Sequence, residues 1–250
     1  MKKSFIIIMA VALALISGQA MAQDTESWTI KARVGYSIGG TAPLGIPATI
    51  RSIDKFSLTP SLMAGADVSF PLQNQWGLIT GLRIENKAMK VDVTTKGYRM
   101  EVVKGDSKIE GLFTGHVSQD VTEWMFTLPV LATYKLSNKV TLKGGPYVSV
   151  LFNKDFSGIA SDGYLRQGDP VGPKIIMGDK PGEWATYDFS DDLRNCQMGL
   201  EVGADWQVHE HLGLSADLNW GLTGIFKGDF KTVEQTLYPI YGTIGAYWKF

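Results

Sequence analysis

The sequence predicts an all-β, antiparallel, up-and-down transmembrane β-barrel of eight strands, with ten strands as the alternative. Three observations predict it: an export signal at the start, long segments that alternate apolar and polar residues, and charged residues confined to one face of those segments. The chain of 250 residues has a net charge of −1, so we expect no nucleic-acid partner. Its single cysteine excludes an internal disulfide and a cysteine-rich zinc module.

Residues 1–22 are typical of a cleaved signal peptide. A basic start, Met1-Lys2-Lys3, precedes the apolar stretch Phe5 to Ile16, and Ala20-Met21-Ala22 has the small-x-small pattern of a leader peptidase site. The apolar stretch is 12 residues long, too short to cross roughly 30 Å of hydrocarbon as a helix. We therefore expect an exported mature chain in which residues 23–250 form one outer-membrane β-barrel domain.

Eight segments of the mature chain alternate with a period of two. In residues 196–208, apolar side chains such as Met198 and Leu200 occupy even positions, and polar or glycine residues occupy odd ones. Because successive side chains on a strand point to opposite faces, this pattern predicts one apolar and one polar face. Each segment reaches the roughly 9–11 residues that a tilted membrane strand needs. In chain order the predicted strands are 28–38, 58–70, 76–86, 123–136, 140–152, 196–208, 212–223 and 238–250.

All charged residues of these segments lie at polar-face positions. A lipid-facing surface requires this, because a charge at the bilayer midplane costs about 2–4 kcal/mol. We predict that the charged side chains point into the barrel and form a structural network of salt bridges that closes the lumen. The predicted network is Lys31, Arg33, Asp67, Arg83, Glu85, Glu123, Lys135, Lys143, Glu201, Asp205, Asp217 and Lys249.

Two soluble architectures also alternate. A β-sandwich would have shorter strands, and a lipocalin-like barrel would turn its apolar face inward around a ligand. Glycines on the polar face and aromatic residues near the ends of the apolar face favour the membrane barrel, in which aromatic residues form two girdles. These aromatic residues are Trp28, Tyr36, Phe70, Trp76, Trp124, Tyr134, Phe152, Trp206, Trp220, Tyr238, Trp248 and Phe250.

The links between the predicted strands alternate in length. This is expected when one side of a membrane barrel carries tight periplasmic turns and the other carries extracellular loops. Residues 88–93 and 98–103 either extend one hairpin beyond the membrane or form two further strands; we prefer the hairpin. The short links are 71–75, 137–139 and 209–211, and the long ones are 39–57, 87–122, 153–194 and 224–237.

The sequence indicates no catalytic, cofactor or metal site, and we expect no enzyme. His209 and His211 flank a short turn, where adventitious metal binding is the less favoured interpretation. His116 lies near Ser118 and Asp120, but a catalytic triad is defined by geometry, which sequence proximity does not supply. A membrane-embedded hydrolase and a small pore remain as alternatives. An acidic group in the link 153–194 is interpreted as a solvated loop: Asp179, Glu183, Asp188, Asp191 and Asp192.

Residues 126–152 resemble the central hairpin of the PorT-like outer-membrane β-barrel family of Bacteroidetes. The matching features are Leu128-Pro129-Val130 and Gly144-Gly145-Pro146-Tyr147. Residues 198–226 add a glycine-rich strand and a Leu-Asn-Trp-Gly-Leu-Thr stretch, in which Trp220 replaces the family's usual tyrosine. The resemblance implies the fold and the location, but no activity, because the family shares no catalytic motif. Phe250 resembles the terminal aromatic residue that the barrel-assembly machinery recognises. The expected partners are therefore that machinery, outer-membrane lipid and lipopolysaccharide, and an unknown extracellular ligand of the long loops.

Overall fold

The computed structural model describes residues 28–43, 45, 47–105, 107–230, 232–233 and 235–250. The predicted signal peptide, residues 1–22, lies outside the described residues. Every regular element but one short turn is a strand, and no helix in the described ranges has the length and hydrophobicity to cross a membrane. In chain order the elements are β1 (Thr29–Pro43), β2 (Ile50–Leu58), β3 (Ser61–Pro71), β4 (Trp76–Lys104), β5 (Ser107–Lys135), β6 (Val140–Gln167), β7 (Lys174–Met177), β8 (Ala185–Asp188), a 3₁₀ turn (Ser190–Asp192), β9 (Cys196–Gln207), β10 (Leu212–Gly221) and β11 (Leu237–Lys249).

Eight of these strands close into an antiparallel barrel. Around the ring the order is β1, β3, β4, β5, β6, β9, β10 and β11. The last strand pairs with the first from Lys31–Lys249 to Pro43–Leu237, which leaves the ring without an open edge. The predicted all-β, eight-stranded barrel is confirmed.

The ten-strand alternative is wrong. Residues 88–93 and 98–103 both belong to β4, whose 29 residues pair with β5 from Trp76–Tyr134 to Lys104–Ser107. One register shift, between Thr95 and Tyr98, interrupts this pairing. The two strands therefore form one long hairpin that extends beyond the barrel, because β4 and β5 stay paired with each other as far as Lys104 and Ser107.

Three of the four predicted loops contain ordered β-structure at the end of the barrel opposite the short turns. We call this region the head; it comprises β2, residues 87–104, 107–122 and 153–194, which include β7, β8 and the 3₁₀ turn, and the described residues of 222–236. It has its own apolar core, which includes Met100, Phe113, Phe156, Leu165 and Phe189. Much of the link 153–194 is therefore ordered, while the acidic side chains predicted to be solvated lie at its surface, as exposed Asp179 and Asp188 do.

β-Bulges explain why the alternation of apolar and polar residues did not predict the head. The β5–β6 pairing shifts register between Thr114 and His116 and again between Trp124 and Met125. One extra residue on a strand exchanges the faces of all the residues that follow. The period of two is therefore broken where β6 leaves the barrel, after Leu151, and again within the head.

The outer face of the barrel is a continuous apolar belt. Val34, Leu82, Leu200 and Ile244 are exposed on four different strands, and Cys196 is exposed as well. Aromatic side chains lie toward the ends of the strands, with Trp76 packed edge-on against Tyr134 at a centroid distance of 5.1 Å. The belt includes Trp28, Ile30, Val34, Tyr36, Ile38, Leu62, Trp76, Leu82, Ile84, Phe126, Leu128, Leu142, Phe152, Met198, Leu200, Val202, Trp206, Leu212, Leu214, Leu218, Trp220, Ile244, Trp248 and Phe250.

Candidate functional site

A chain of buried ion pairs crosses the lumen. Asp67 on β3 forms ion pairs with two arginines on the neighbouring strands: its Oδ2 lies 2.5 Å from Arg33 Nε and 2.9 Å from Arg83 Nη2. The same arginines reach β9 on the opposite wall: Arg33 Nη2 lies 2.5 Å from Asp205 Oδ2, and Arg83 Nη1 lies 2.9 Å from Glu201 Oε2. The two guanidinium groups therefore bridge β3 and β9 through the middle of the barrel.

Asp205 collects further cations. Lys143 Nζ lies 2.8 Å from Asp205 Oδ1 and 2.7 Å from Asp217 Oδ1, and Lys31 Nζ lies 3.1 Å from Asp205 Oδ2. Asp205 thus contacts three cations: Lys31 and Arg33 on β1, and Lys143 on β6. A buried carboxylate is tolerated when it is paired and hydrogen-bonded in this way. The arrangement closes the lumen with charged side chains that neutralise one another.

A second polar layer lies toward the head, and sequence reasoning missed its central cation. Lys87 is 1% exposed; its ammonium lies 3.6 Å from Glu85 Oε1 and 5.3 Å from the centre of the Tyr147 ring. The prediction ended this strand at residue 86, although Lys87 continues the parity of Arg83 and Glu85. In the same layer, Gln197 Nε2 donates a hydrogen bond of 2.9 Å to Glu123.

Nine of the twelve predicted interior charges are buried in the structure: Arg33, Asp67, Arg83, Glu85, Glu123, Lys143, Glu201, Asp205 and Asp217. Lys31 is partly buried and paired. Lys135 and Lys249 depart from the prediction. Lys135 is exposed and Lys249 is half-buried, because each occupies the last position of its strand, where water reaches the turn-side rim.

Glycines on the inner face leave room for these side chains. A Cβ atom at Gly203 would lie 2.0 Å from Asp217 Oδ1, and one at Gly81 would lie 2.5 Å from Asp67 Oδ1. Tyr247 fills the space over Gly213, and its ring lies 4.7 Å from the ammonium of Lys31. Small residues on one strand therefore accommodate long polar side chains from the next.

We expect Gly203→Ala to lower the free energy of unfolding in lipid vesicles by about 1–3 kcal/mol, because the added methyl group displaces Asp217. Gly144→Ala is the matched control. It lies on the neighbouring strand, where the nearest atoms to an added Cβ would be 3.6 Å away, on Glu201 and Val202. Equal unfolding free energies for the two variants would contradict tight packing around Asp217.

The histidines do not assemble a catalytic or metal site. His116 Nδ1 lies 3.1 Å from Thr94 Oγ1 and 3.4 Å from Asp54 Oδ2, whereas Ser118 donates to Asp92 at 2.6 Å. Hydrogen bonds from Ser52 and Thr94 lower the pKa of Asp54. Within the described ranges, no group of three or more metal-ligating side chains comes together.

The two histidines on the turn side, His209 and His211, make different contacts. His211 stacks on Trp248 at 5.4 Å, and its Nδ1 lies 2.8 Å from the carbonyl oxygen of Lys249. His209 lies in the turn, where its backbone nitrogen donates to the carbonyl of Leu212. Aspartates of the predicted acidic group bond locally, as Asp188 does with the hydroxyl of Ser190 at 2.6 Å.

Comparison with known proteins identifies one family. The sequence profile of the family described as "Outer membrane protein beta-barrel domain" matches residues 21–227. No curated protein matches the chain by sequence.

Three solved structures are similar to the chain at low sequence identity. Ail, the attachment invasion locus protein of Yersinia pestis, has 11% identity and a TM-score of 0.41, over 90% of this chain and 99% of that one. OprG from Pseudomonas aeruginosa has 12% identity and a TM-score of 0.34, over 90% and 96%. Neisserial surface protein A has 8% identity and a TM-score of 0.35, over 89% and 97%.

Proposed function

Because the chain belongs to the outer-membrane protein β-barrel domain family, we propose that its closed barrel anchors a rigid β-structured head, which serves for binding outside the cell. The observation that carries this proposal is the contrast between the two faces of the barrel. The outer face is an apolar belt, and the inner face is a network of buried ion pairs. Such a barrel presents its head to the surroundings and leaves little room for passage through its centre.

The position of the head supports a binding role. Long segments held on a rigid scaffold are where recognition residues concentrate. Here strands of the barrel continue into the head, as β4 and β5 do over 29 residues each. A head built this way holds its surface in one shape, which lowers the entropy lost on binding. Its partner is the extracellular ligand expected from the sequence.

The alternative functions have weaker support. A pore needs an open cross-section. Here Arg33 and Arg83 both bind Asp67 on one wall of the lumen and reach Asp205 and Glu201, respectively, on the opposite wall. A membrane-embedded hydrolase needs a nucleophile oriented by a base, whereas Ser118 and His116 bind different partners. We therefore propose a non-enzymatic protein without a resident cofactor.

Finer assignments are part of the proposal. The residues 126–152 support placement in the PorT-like group, and residues 1–22 support export by a cleaved signal peptide. Phe250, exposed beyond the last strand, is available to the barrel-assembly machinery. The apolar belt would contact outer-membrane lipid and lipopolysaccharide.

Cysteine labelling on intact cells tests the orientation. In a Cys196→Ser background, we expect a membrane-impermeant maleimide to label Val171→Cys, whose native side chain is 86% exposed in the head. Asn138→Cys, in the turn between β5 and β6, should be labelled only after the outer membrane is permeabilised. The reverse pattern, or labelling of both cysteines in intact cells, would overturn the proposed orientation.

A further inference from the structure

An uncharged cavity lies in the head, directly above the polar layers of the lumen. Its volume is about 230 Å³, and none of its lining residues carries a formal charge. Strands β1, β2, β4, β5 and β6 contribute to it, together with β8 and the segment before β11. The binding role proposed above rests on the head as a whole and does not use this cavity.

The inward-facing residues of β4 change character at the floor of the cavity. Arg83, Glu85 and Lys87 face the lumen, and the next positions of the same parity are Met89 and Val91. The boundary is closed by Met89, whose sulfur accepts a weak hydrogen bond of 3.9 Å from the hydroxyl of Thr41. Met89 therefore separates the charged layers of the lumen from the apolar cavity above them.

A glycine forms part of this floor. A Cβ atom at Gly40 would lie 2.6 Å from Met89 Sδ and 3.3 Å from the Phe56 ring. The absence of a side chain at this position lets both residues pack directly against the backbone of β1. Any larger residue would displace Met89, Phe56 or both and alter the cavity.

Most polar groups on the cavity wall are already satisfied within the protein. The hydroxyl of Thr95 donates to the carbonyl of Gly115 at 3.2 Å, and that of Tyr187 donates to the carbonyl of Ser118 at 3.3 Å. Burial raises the pKa of Tyr187 far above its ordinary value, so its hydroxyl stays neutral. Gln119 differs, since its half-buried side-chain amide lies on the cavity wall and can both donate and accept hydrogen bonds.

The cavity opens beside β2. Ile53 and Phe56 line it and are also 54% and 46% exposed, which places their side chains at its mouth. Exposed apolar side chains of this size at the entrance of an apolar cavity are typical of a binding site. A ligand can therefore enter from outside the barrel without crossing the ion-pair network.

We propose that this cavity binds a small, neutral, apolar molecule that presents one polar group to Gln119. An engineered cavity of about 150 Å³ accommodates benzene, so this volume suits a ligand of roughly ten non-hydrogen atoms, such as an alkylated phenol. A membrane lipid chain is considerably longer than the cavity can enclose. The inference rests on the proposed function in one respect: an outward-facing head would let the ligand enter from outside the cell.

Titration of 4-propylphenol into the full protein in lipid nanodiscs tests the proposal, with empty nanodiscs correcting for partition into lipid. We expect saturable binding that Val91→Trp weakens at least tenfold, because the indole fills the cavity. Val171→Trp, the same substitution at an exposed position in the head, should leave the affinity unchanged. Equal affinity in both variants, or uptake no greater than in empty nanodiscs, would overturn the proposal.

Gln119→Leu provides a test with little change in side-chain size. We expect it to reduce the preference for 4-propylphenol over propylbenzene by roughly fivefold, the value of one net hydrogen bond. An unchanged preference would contradict the role of Gln119. Because this readout compares two ligands on one protein, a partial loss of folded protein does not alter it.

Photolabelling of the unmodified protein removes the dependence on variants. A diazirine-bearing alkylphenol should form adducts in peptides that contain residues 89–93 and 117–119, and excess 4-propylphenol should suppress them. Adducts confined to the apolar belt would overturn the proposal, as would a lipid that copurifies in the cavity and is lost in Val91→Trp. These measurements do not depend on orientation in the cell, so their failure is distinguishable from failure of the cysteine-labelling experiment.

Discussion

Asp205→Asn is expected to lower the free energy of unfolding of the barrel by about 3–5 kcal/mol. The substitution keeps the shape of the side chain and removes its charge, which leaves the cations of Lys31, Arg33 and Lys143 without their shared partner. Asp205 is buried, so water cannot replace the lost interaction. Denaturant unfolding in phospholipid vesicles, followed by tryptophan fluorescence, measures the change.

Asp179→Asn is the matched control for this substitution. Asp179 is exposed in the head, and its replacement should change the unfolding free energy by at most about 0.5 kcal/mol in either direction. Combining Asp205→Asn with Lys31→Met should recover part of the loss, because it removes the Lys31 ammonium, whose ion pair is with Asp205. An Asp205→Asn barrel as stable as the unmodified one would show that the ion pairs do not hold the lumen closed.

Val202→Arg is expected to destabilise the inserted barrel by about 2–4 kcal/mol. Val202 lies near the middle of β9 and is 54% exposed on the apolar belt. An arginine there would place a charge in the hydrocarbon, where neither water nor a protein partner can solvate it. The yield of folded, heat-modifiable protein after insertion into vesicles and the unfolding free energy both report the effect.

Val171→Arg separates the effect of the bilayer from that of the substitution. Both valines are exposed at the protein surface, but Val171 lies in the head, away from the belt. We expect insertion and stability close to those of the unmodified protein. If the two arginine variants behave alike, the apolar face of the barrel does not contact lipid, and the proposed outer-membrane placement fails.

The alternation of apolar and polar residues was sufficient to predict which side chains face the barrel interior where the strands are regular. Arg33, Asp67 and Glu201 were assigned to the inner face from parity alone, and all three are buried there. The same rule applied to Lys87, but the predicted strand ended one residue earlier. For Lys135 the rule gave the face correctly and could not indicate that the strand end is open to water.

The head could not be predicted in the same way. Phe156, Tyr187 and Phe189 belong to one apolar core. Phe156 follows a register shift that interrupts the alternation on β6, and the other two lie at and just after β8, a strand of only four residues. Residues 88–103 did show strand-like character, which left both a hairpin and extra strands open. Only the pairing of β4 with β5 along their full length decided between these alternatives.

The sequence by itself determined which face of each strand meets lipid and which faces inward, because side-chain direction in a strand is a local property of the backbone. The tertiary structure alone decided the partners, such as Arg83 and Glu201, which are 118 positions apart in the chain. It also decided that the inner face changes from charged to apolar between Lys87 and Met89 and encloses a cavity there. Ion-pair geometry and enclosed volume depend on how distant strands meet around the ring, and no local pattern records that arrangement.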